Sequence, residues 1–261
     1  MEYKLSNVHP EAKIGKNVVI EPFVTIEKEV EIGDNCWIGS GAVIKDYSKI
    51  GNNCRIFHGA VIGAIPQDLK FKGEVTFCHI GDNTTVREYA TVNRGTAAKG
   101  GTTVGSNCLL MAYSHIAHDC RLKDNIIIGN LTQLAGEVDI DDYAIVSAAS
   151  LVHQFTHVGA HVMIQGGSKI PKDIPPYVIA GGEPFAYYGL NLVGLRRRGF
   201  SNETINAIHD VYRIIYQGGK NTTQALEEVI STLPESAERN YIVDFIKGST
   251  RGIIPSCISR K

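Results

Sequence analysis

Four of the nine histidines, His115, His118, His153 and His157, fall between residues 115 and 157. Within that stretch His118, Gly136 and Gln154 follow one another at intervals of eighteen, and Glu137 and His153 lie beside them. An imidazole titrates near neutrality and can take a proton from a hydroxyl. A backbone N–H left free beside a turn glycine can hold a developing oxyanion. Together these are the two requirements of acyl transfer to an alcohol, provided that eighteen residues along the chain bring side chains together in space. Turn histidines and glycines that merely decorate a solvated corner are the competing reading.

The elements that must position these residues are set by a period of six. Stepping from Val8 to Ile170 by six visits 28 positions, and all but Asp68, Glu74 and Ala98 carry an aliphatic residue. Six matches neither a helical period nor a simple strand alternation, so each unit is one short strand and a turn. If three units make one triangular coil, the chain returns above itself every eighteen residues and pairs parallel strands about 4.8 Å apart. Ile116, Leu134 and Val152 then start stacked units on one face. His118, Gly136 with Glu137, and His153 with Gln154 form an outward strip within about 10 Å of rise.

The missed positions mark two loops, 64–73 and 97–103, rich in Gly, Pro and charge. Loops on a rigid scaffold are where function concentrates, although tolerated insertions look the same. The repeat dissolves at Pro171, Pro175 and Pro176. From about Tyr187 the pattern becomes helical. Ser201 is a candidate N-cap for a helix ending at Gly218, Thr222 or Thr223 for one ending at Pro234, and Ser236 for one ending at Gly248. The expected organisation is a mainly β unit, 1–186, followed by an α-helical subdomain, 187–261.

The cysteines follow the repeat. Cys36, Cys54, Cys78, Cys108 and Cys120 occupy a slot that elsewhere holds Ala, Val and Ser, so they read as small core fillers rather than disulfide or metal partners. The close histidine spacings also differ from the H-x-x-x-x-H pair of hexapeptide-repeat carbonic anhydrases, so no metal and no cofactor are expected. With 26 Lys plus Arg against 27 Asp plus Glu the net charge is −1, which does not favour wholesale binding to nucleic acid. No apolar run approaches the length of a membrane span and no secretory leader is apparent, so a cytoplasmic chain without stable membrane insertion is expected.

Several in-frame motifs carry a family resemblance: HIAHDC at His115–Cys120, VHQF at Val152–Phe155, GAHVM at Gly159–Met163, PPYV at Pro175–Val178, and GLNLVGLRRRGF at Gly189–Phe200. PQDLK at Pro66–Lys70 and VNRGT at Val92–Thr96 extend it into both loop regions. With these motifs the chain resembles the UDP-N-acetylglucosamine O-acyltransferases that open lipid A synthesis. The resemblance implies a left-handed parallel β-helix; periodicity alone gives no hand, and general crossover rules favour the right-handed one. It implies transfer of a (R)-3-hydroxyacyl group from acyl carrier protein to the glucosamine 3-hydroxyl of UDP-N-acetylglucosamine.

By the same resemblance, His118 is the general base and the Gly136 amide serves the oxyanion. Asp68, Lys70, His115 and Gln154 are expected around the sugar, His153 among the substrate-binding residues, and Asn191, Arg197 and Arg198 near the nucleotide, where guanidinium forks suit a pyrophosphate. Met163 and Gly166 are expected at the floor of the acyl groove, where Gly166 leaves room for a long chain. Asp119 adjoins His118, but adjacent strand residues face opposite sides, so no His–Asp dyad is assumed. Glu137, Asn93 and Gly182-Glu183-Pro184 depart from the family's usual residues. A homotrimer with clefts shared between copies is expected, with Arg196–Arg198, Arg213, Lys220, Arg239 and Lys247 as candidates for meeting an acidic carrier protein. Rival readings are an N-acyltransferase later in the pathway, a small-molecule acetyltransferase of the same fold, and a non-catalytic scaffold or carbonic-anhydrase-like metalloprotein.

Overall fold

In the computed structural model, which describes residues 5–257, the aliphatic anchors turn inward and stack. Ile26, Ile38, Ile44, Ile56, Ile62, Leu110, Ile116, Ile128 and Leu134 are fully buried. Because the anchors recur every six residues, each short strand can bury only one face. Burial is completed by the coils above and below, which is why the elements are parallel and stacked.

Among the described residues the strands form three sheets of nine, eight and ten strands, the three faces of a prism. The first face runs from Asn7–Val8 to Lys169–Ile170, the second from Lys13–Ile14 to His157–Val158, and the third from Val19–Ile20 to Val178–Gly181 with Ala186–Leu190 added at its end. Register is eighteen residues wherever no excursion intervenes, as in His115↔Gln133 and Gln133↔Leu151. The 64–73 loop lengthens its coil, so that Val61 pairs with Thr91. The second loop lies three residues earlier than expected, at 94–100, because one strand ends at Asn93 and the next resumes at Gly101 and runs to Val104; its coil is lengthened too, and Thr91 pairs with His115.

Corners turn through a residue in the left-handed region, which asparagine tolerates better than most side chains. Asn17, Asn35, Asn53, Asn83, Asn107 and Asn125 supply it between the second and third faces, with φ of 56–61°. The preceding residue ties adjacent coils together. Asp34 Oδ1 accepts from the Lys16 N–H at 2.7 Å and Asp124 Oδ1 from the Ser106 N–H at 2.7 Å. Cys36, Cys54, Cys78, Cys108 and Cys120 are buried free thiols, as the small-residue slot implies. Burial pushes Cys78 and Cys120 up to about 12.

The helical pattern begins later than Tyr187. Ala186–Leu190 is a strand antiparallel to Val178–Gly181, and Tyr187 is buried with its ring stacked 4.3 Å from that of Tyr216. Four helices follow among the described residues: α1 Leu192–Arg197, α2 Asn202–Gln217, α3 Thr222–Thr232 and α4 Ala237–Gly248. Ser201 and Ser236 cap α2 and α4 as their sequence suggests. For α3 the cap is Asn221 rather than a threonine, because Asn221 and Gln224 close a reciprocal capping box.

A polar node docks α4 against the prism. Tyr241 Oη donates to Asp141 Oδ2 at 2.6 Å and accepts from the Ala160 N–H at 3.0 Å. His157 Nε2 and Lys123 Nζ meet the same carboxylate at 2.9 and 2.6 Å.

Candidate active site

The corner between the first and second faces carries the histidine strip. His118 follows the strand His115–Ile116, Gly136 follows Gln133–Leu134, and Gln154 follows Leu151–Val152, in three successive coils. The ladder locks their spacing: Glu137 N–H donates to the His118 carbonyl at 3.0 Å and Phe155 N–H to the Gly136 carbonyl at 3.2 Å. His118 is 9% exposed, so its ring is held inside the corner and reaches solvent at one edge.

Gly136 is where the imidazole rests. A Cβ there would lie 2.5 Å from His118 Cε1 and 2.6 Å from Nε2, so any side chain would displace the ring. Glycine is needed here for close approach and not for an unusual backbone angle. The Gly136 N–H has no acceptor among the described residues and remains open to a ligand oxygen.

Asp119 corrects the sequence expectation. Its Oδ2 lies 2.9 Å from His118 Nδ1, and its side chain is wholly buried. Alternation between strand faces does not apply, because Asp119 is a corner residue at φ 62° and its side chain turns back toward its neighbour. A carboxylate oxygen accepts from Nδ1–H, which fixes the tautomer and leaves the Nε2 lone pair without a partner among the described residues. Thr96 closes over the same carboxylate, with its N–H 3.0 and 3.1 Å from the two oxygens and its hydroxyl 2.6 Å from Oδ2. Sequence reasoning gave Thr96 no role and left it just before the expected 97–103 loop, whereas it sits within the observed excursion between Asn93 and Gly101.

His115 faces outward from the same strand and its Nδ1 is 2.7 Å from Thr91 Oγ1. Burial, and then the nearby His118, hold His115 below the usual histidine range. His153 is exposed, with Nδ1 3.0 Å from the Gln154 carbonyl. Asp68 and Lys70 lie in the first excursion, where Asp68 Oδ1 accepts from the Lys70 N–H at 2.9 Å. Asn93 anchors that excursion through the Ala64 and Ile65 carbonyls, and buried Arg94 stacks on Phe71 with 5.5 Å to the ring centroid.

The remaining candidates occupy other corners. Asn191 caps α1: its Oδ1 accepts from the Gly194 N–H at 3.1 Å and its Nδ2 donates to the His161 carbonyl at 2.9 Å. Arg197 is exposed on that helix, and the Arg198 guanidinium lies 4.9 Å from the Tyr143 ring centroid, at the corner between the second and third faces. His161 is sandwiched there between Tyr143 and Tyr177. Burial, then Arg198, bring it down to about 4. Met163 lies on the third face and Gly166 at the corner beyond it, where an added Cβ would stand 3.2 Å from the Ala148 carbonyl oxygen. A single chain therefore does not assemble the full expected set. Among the described residues no group of three or more His, Cys, Asp and Glu side chains could hold a metal ion.

A stacked prism of six-residue coils with a histidine seated on a glycine in its corner defines a hexapeptide-repeat transferase. The six-repeat bacterial transferase hexapeptide profile matches 29–64 and 101–136, and the profile of the second domain of UDP-N-acetylglucosamine O-acyltransferase matches 173–254. A curated relative from Burkholderia orbicola, an acyl-[acyl-carrier-protein]–UDP-N-acetylglucosamine O-acyltransferase, is 44% identical over 74% of this chain and 76% of its own length. The crystal structure of a UDP-N-acetylglucosamine acyltransferase from Bacteroides fragilis superposes with a TM-score of 0.95 at 60% identity, covering 97% of this chain and 100% of that one. That from Francisella novicida does so at 0.95 and 40% identity, covering 98% and 95%. The chain belongs to the UDP-N-acetylglucosamine O-acyltransferase family, and its prism is the left-handed parallel β-helix of that family.

Proposed function

We propose that this protein transfers a (R)-3-hydroxyacyl group from the thioester of acyl carrier protein to the 3-hydroxyl of the glucosamine in UDP-N-acetylglucosamine, the first step of lipid A synthesis, with His118 as general base. The observation that carries the chemistry is the seat of His118, with its ring on Gly136 and Nδ1 held by Asp119, so that Nε2 alone is offered to a substrate. Nε2 takes the proton as the sugar oxygen bonds to the thioester carbon. In this reading the Gly136 N–H stabilises the oxyanion. As the C–S bond breaks, the imidazolium returns the proton to the departing thiolate, leaving the ester and the free carrier thiol.

Substrate contacts extend this reading. His115, His153, Gln154, Asp68 and Lys70 surround or overhang the sugar, and Arg197 and Arg198 meet the pyrophosphate. Met163 and Gly166 bound the acyl groove and admit a long chain. These groups sit on three corners of one prism, separated by faces of roughly 15–20 Å, so copies of the chain must share each site. An apolar column supports a homotrimer: Phe23, Tyr89, Tyr113 and Leu131 line the corner between the third and first faces, each at least half exposed. Of the cationic candidates for the acidic carrier, Arg213 pairs with Asp210 at 3.2 Å and Lys220 with Glu228 at 2.9 Å, leaving Arg196, Arg197 and Lys247 more open. No helix among the described residues is long and apolar enough to cross a membrane, and the cytoplasm is the compartment this reading assigns.

The test is one radiolabelled transfer assay with UDP-N-acetylglucosamine and short or long 3-hydroxyacyl carrier proteins. Wild type is expected to prefer the long donor, and His118→Ala to lose about 10²–10⁴-fold in rate. Absence of transfer by wild type overturns the reading. Unimpaired transfer by His118→Ala removes the base, and equal use of the short donor removes the chain-length assignment.

A further inference from the structure

The second excursion ends on the carboxylate behind the base. An ordinary coil takes eighteen residues, yet Thr91 pairs with His115, twenty-four further on. The extra residues close over Asp119 and bury it completely. A carboxylate so enclosed is costly unless its oxygens are hydrogen-bonded. Thr96 meets that need with an N–H 3.0 and 3.1 Å from Oδ1 and Oδ2 and a hydroxyl 2.6 Å from Oδ2. The Asp119 N–H is in turn held by Thr102 Oγ1 at 2.8 Å.

The excursion is itself braced. Thr76 Oγ1 donates to the Gly95 carbonyl at 2.6 Å, and the Ala97 N–H donates to Glu74 Oε1 at 3.2 Å. Gly95 permits the approach, since a Cβ there would stand 2.7 Å from Asp119 Oδ1. Oδ2 is thus shared between the Thr96 hydroxyl and His118 Nδ1, and the hydroxyl sets both where that oxygen sits and how much negative charge the imidazole meets.

We infer that Thr96 is a positioning residue for the reaction: its hydroxyl, delivered by the 94–100 excursion, orients Asp119 and through it the His118 tautomer. The inference rests on His118 being the base. Without the hydroxyl the carboxylate loses one fixed direction and its charge is less neutralised. The first change lowers the rate. The second stabilises the imidazolium and moves the acid limb of the pH–rate profile upward.

The experiment compares the full-length wild-type enzyme with Thr96→Val, Thr96→Ser and His118→Ala. For Thr96→Val the expected kcat is about tenfold lower with KM for UDP-N-acetylglucosamine within about twofold, and the acid limb is displaced upward by about half a pH unit. Thr96→Ser restores both. Should Thr96→Val fail to accumulate as folded protein, Thr96→Ala is read by the same measures. A wild-type kcat and pH profile in the folded hydroxyl-free variant overturns the inference, as does a serine variant no better than valine. If His118→Ala keeps full activity, the assignment of the base has failed instead, and the two failures are distinguishable.

Discussion

His118 and Gly136 form a unit in which the glycine matters for what it lacks. The imidazole occupies the space a Cβ at residue 136 would fill, at 2.6 Å from Nε2. Gly136 is not in the left-handed region, so alanine is compatible with the backbone and its cost falls on the ring. Gly136→Ala is expected to keep the thermal midpoint while lowering kcat by about 10²-fold, the scale of an ångström displacement of a reacting group. A fully active Gly136→Ala enzyme would show that the imidazole is free to move. At this scale the sequence spoke clearly about His118, Gly136 and Gln154, because eighteen-residue spacing is a direct statement of adjacency. It misled about Asp119, since strand alternation fails at a residue with φ 62°. Thr96 was out of reach: its contact depends on the path of an excursion that has no period.

The docking of α4 belongs to the scale of elements. Burial by itself would raise the Asp141 carboxyl, but hydrogen bonds from His157, Lys123 and Tyr241 outweigh it and bring the group down to about 2. A carboxyl depressed on folding contributes stability that is fully present above its unfolded value near 4 and is lost as pH falls through about 2. The contribution is about 2 kcal/mol at neutral pH. Asp141→Asn should therefore lower the denaturation midpoint at pH 7, and the gap from wild type should close between pH 4 and pH 2. A gap that stays constant across that window would mean the carboxylate charge is not what holds α4. The helix boundaries around this node were largely legible, since Ser201 and Ser236 announce their helices. The strand Ala186–Leu190 was not, because its AYYGL run has no clean alternation and its pairing partner is visible only in three dimensions.

For the whole molecule, the arrangement of corners decides what one chain can do. His118 lies at the first corner, Arg198 packs at the second, and Gly166 and the apolar column of Phe23, Tyr89, Tyr113 and Leu131 lie along the third. A site drawing on all of them needs neighbouring copies, and the exposed column is the surface most suited to bury between them. Wild type is expected to migrate as three copies of the 28.4 kDa chain, near about 85 kDa. Leu131→Glu should dissociate the assembly and lose activity with it; a monomer of undiminished activity in sedimentation and transfer assays would exclude shared sites. The six-residue period determined the prism, the inward anchors, the cysteine slots and the stacking of the histidine strip, because an aliphatic residue at every sixth position can be buried only by a chain that returns above itself. Tertiary structure alone decided that Asp119 turns back on His118, that Thr96 closes over it, and that the expected binding groups are spread over three corners. Those relations depend on corner angles and excursions, where the chain leaves its repeat and side-chain direction no longer follows from position.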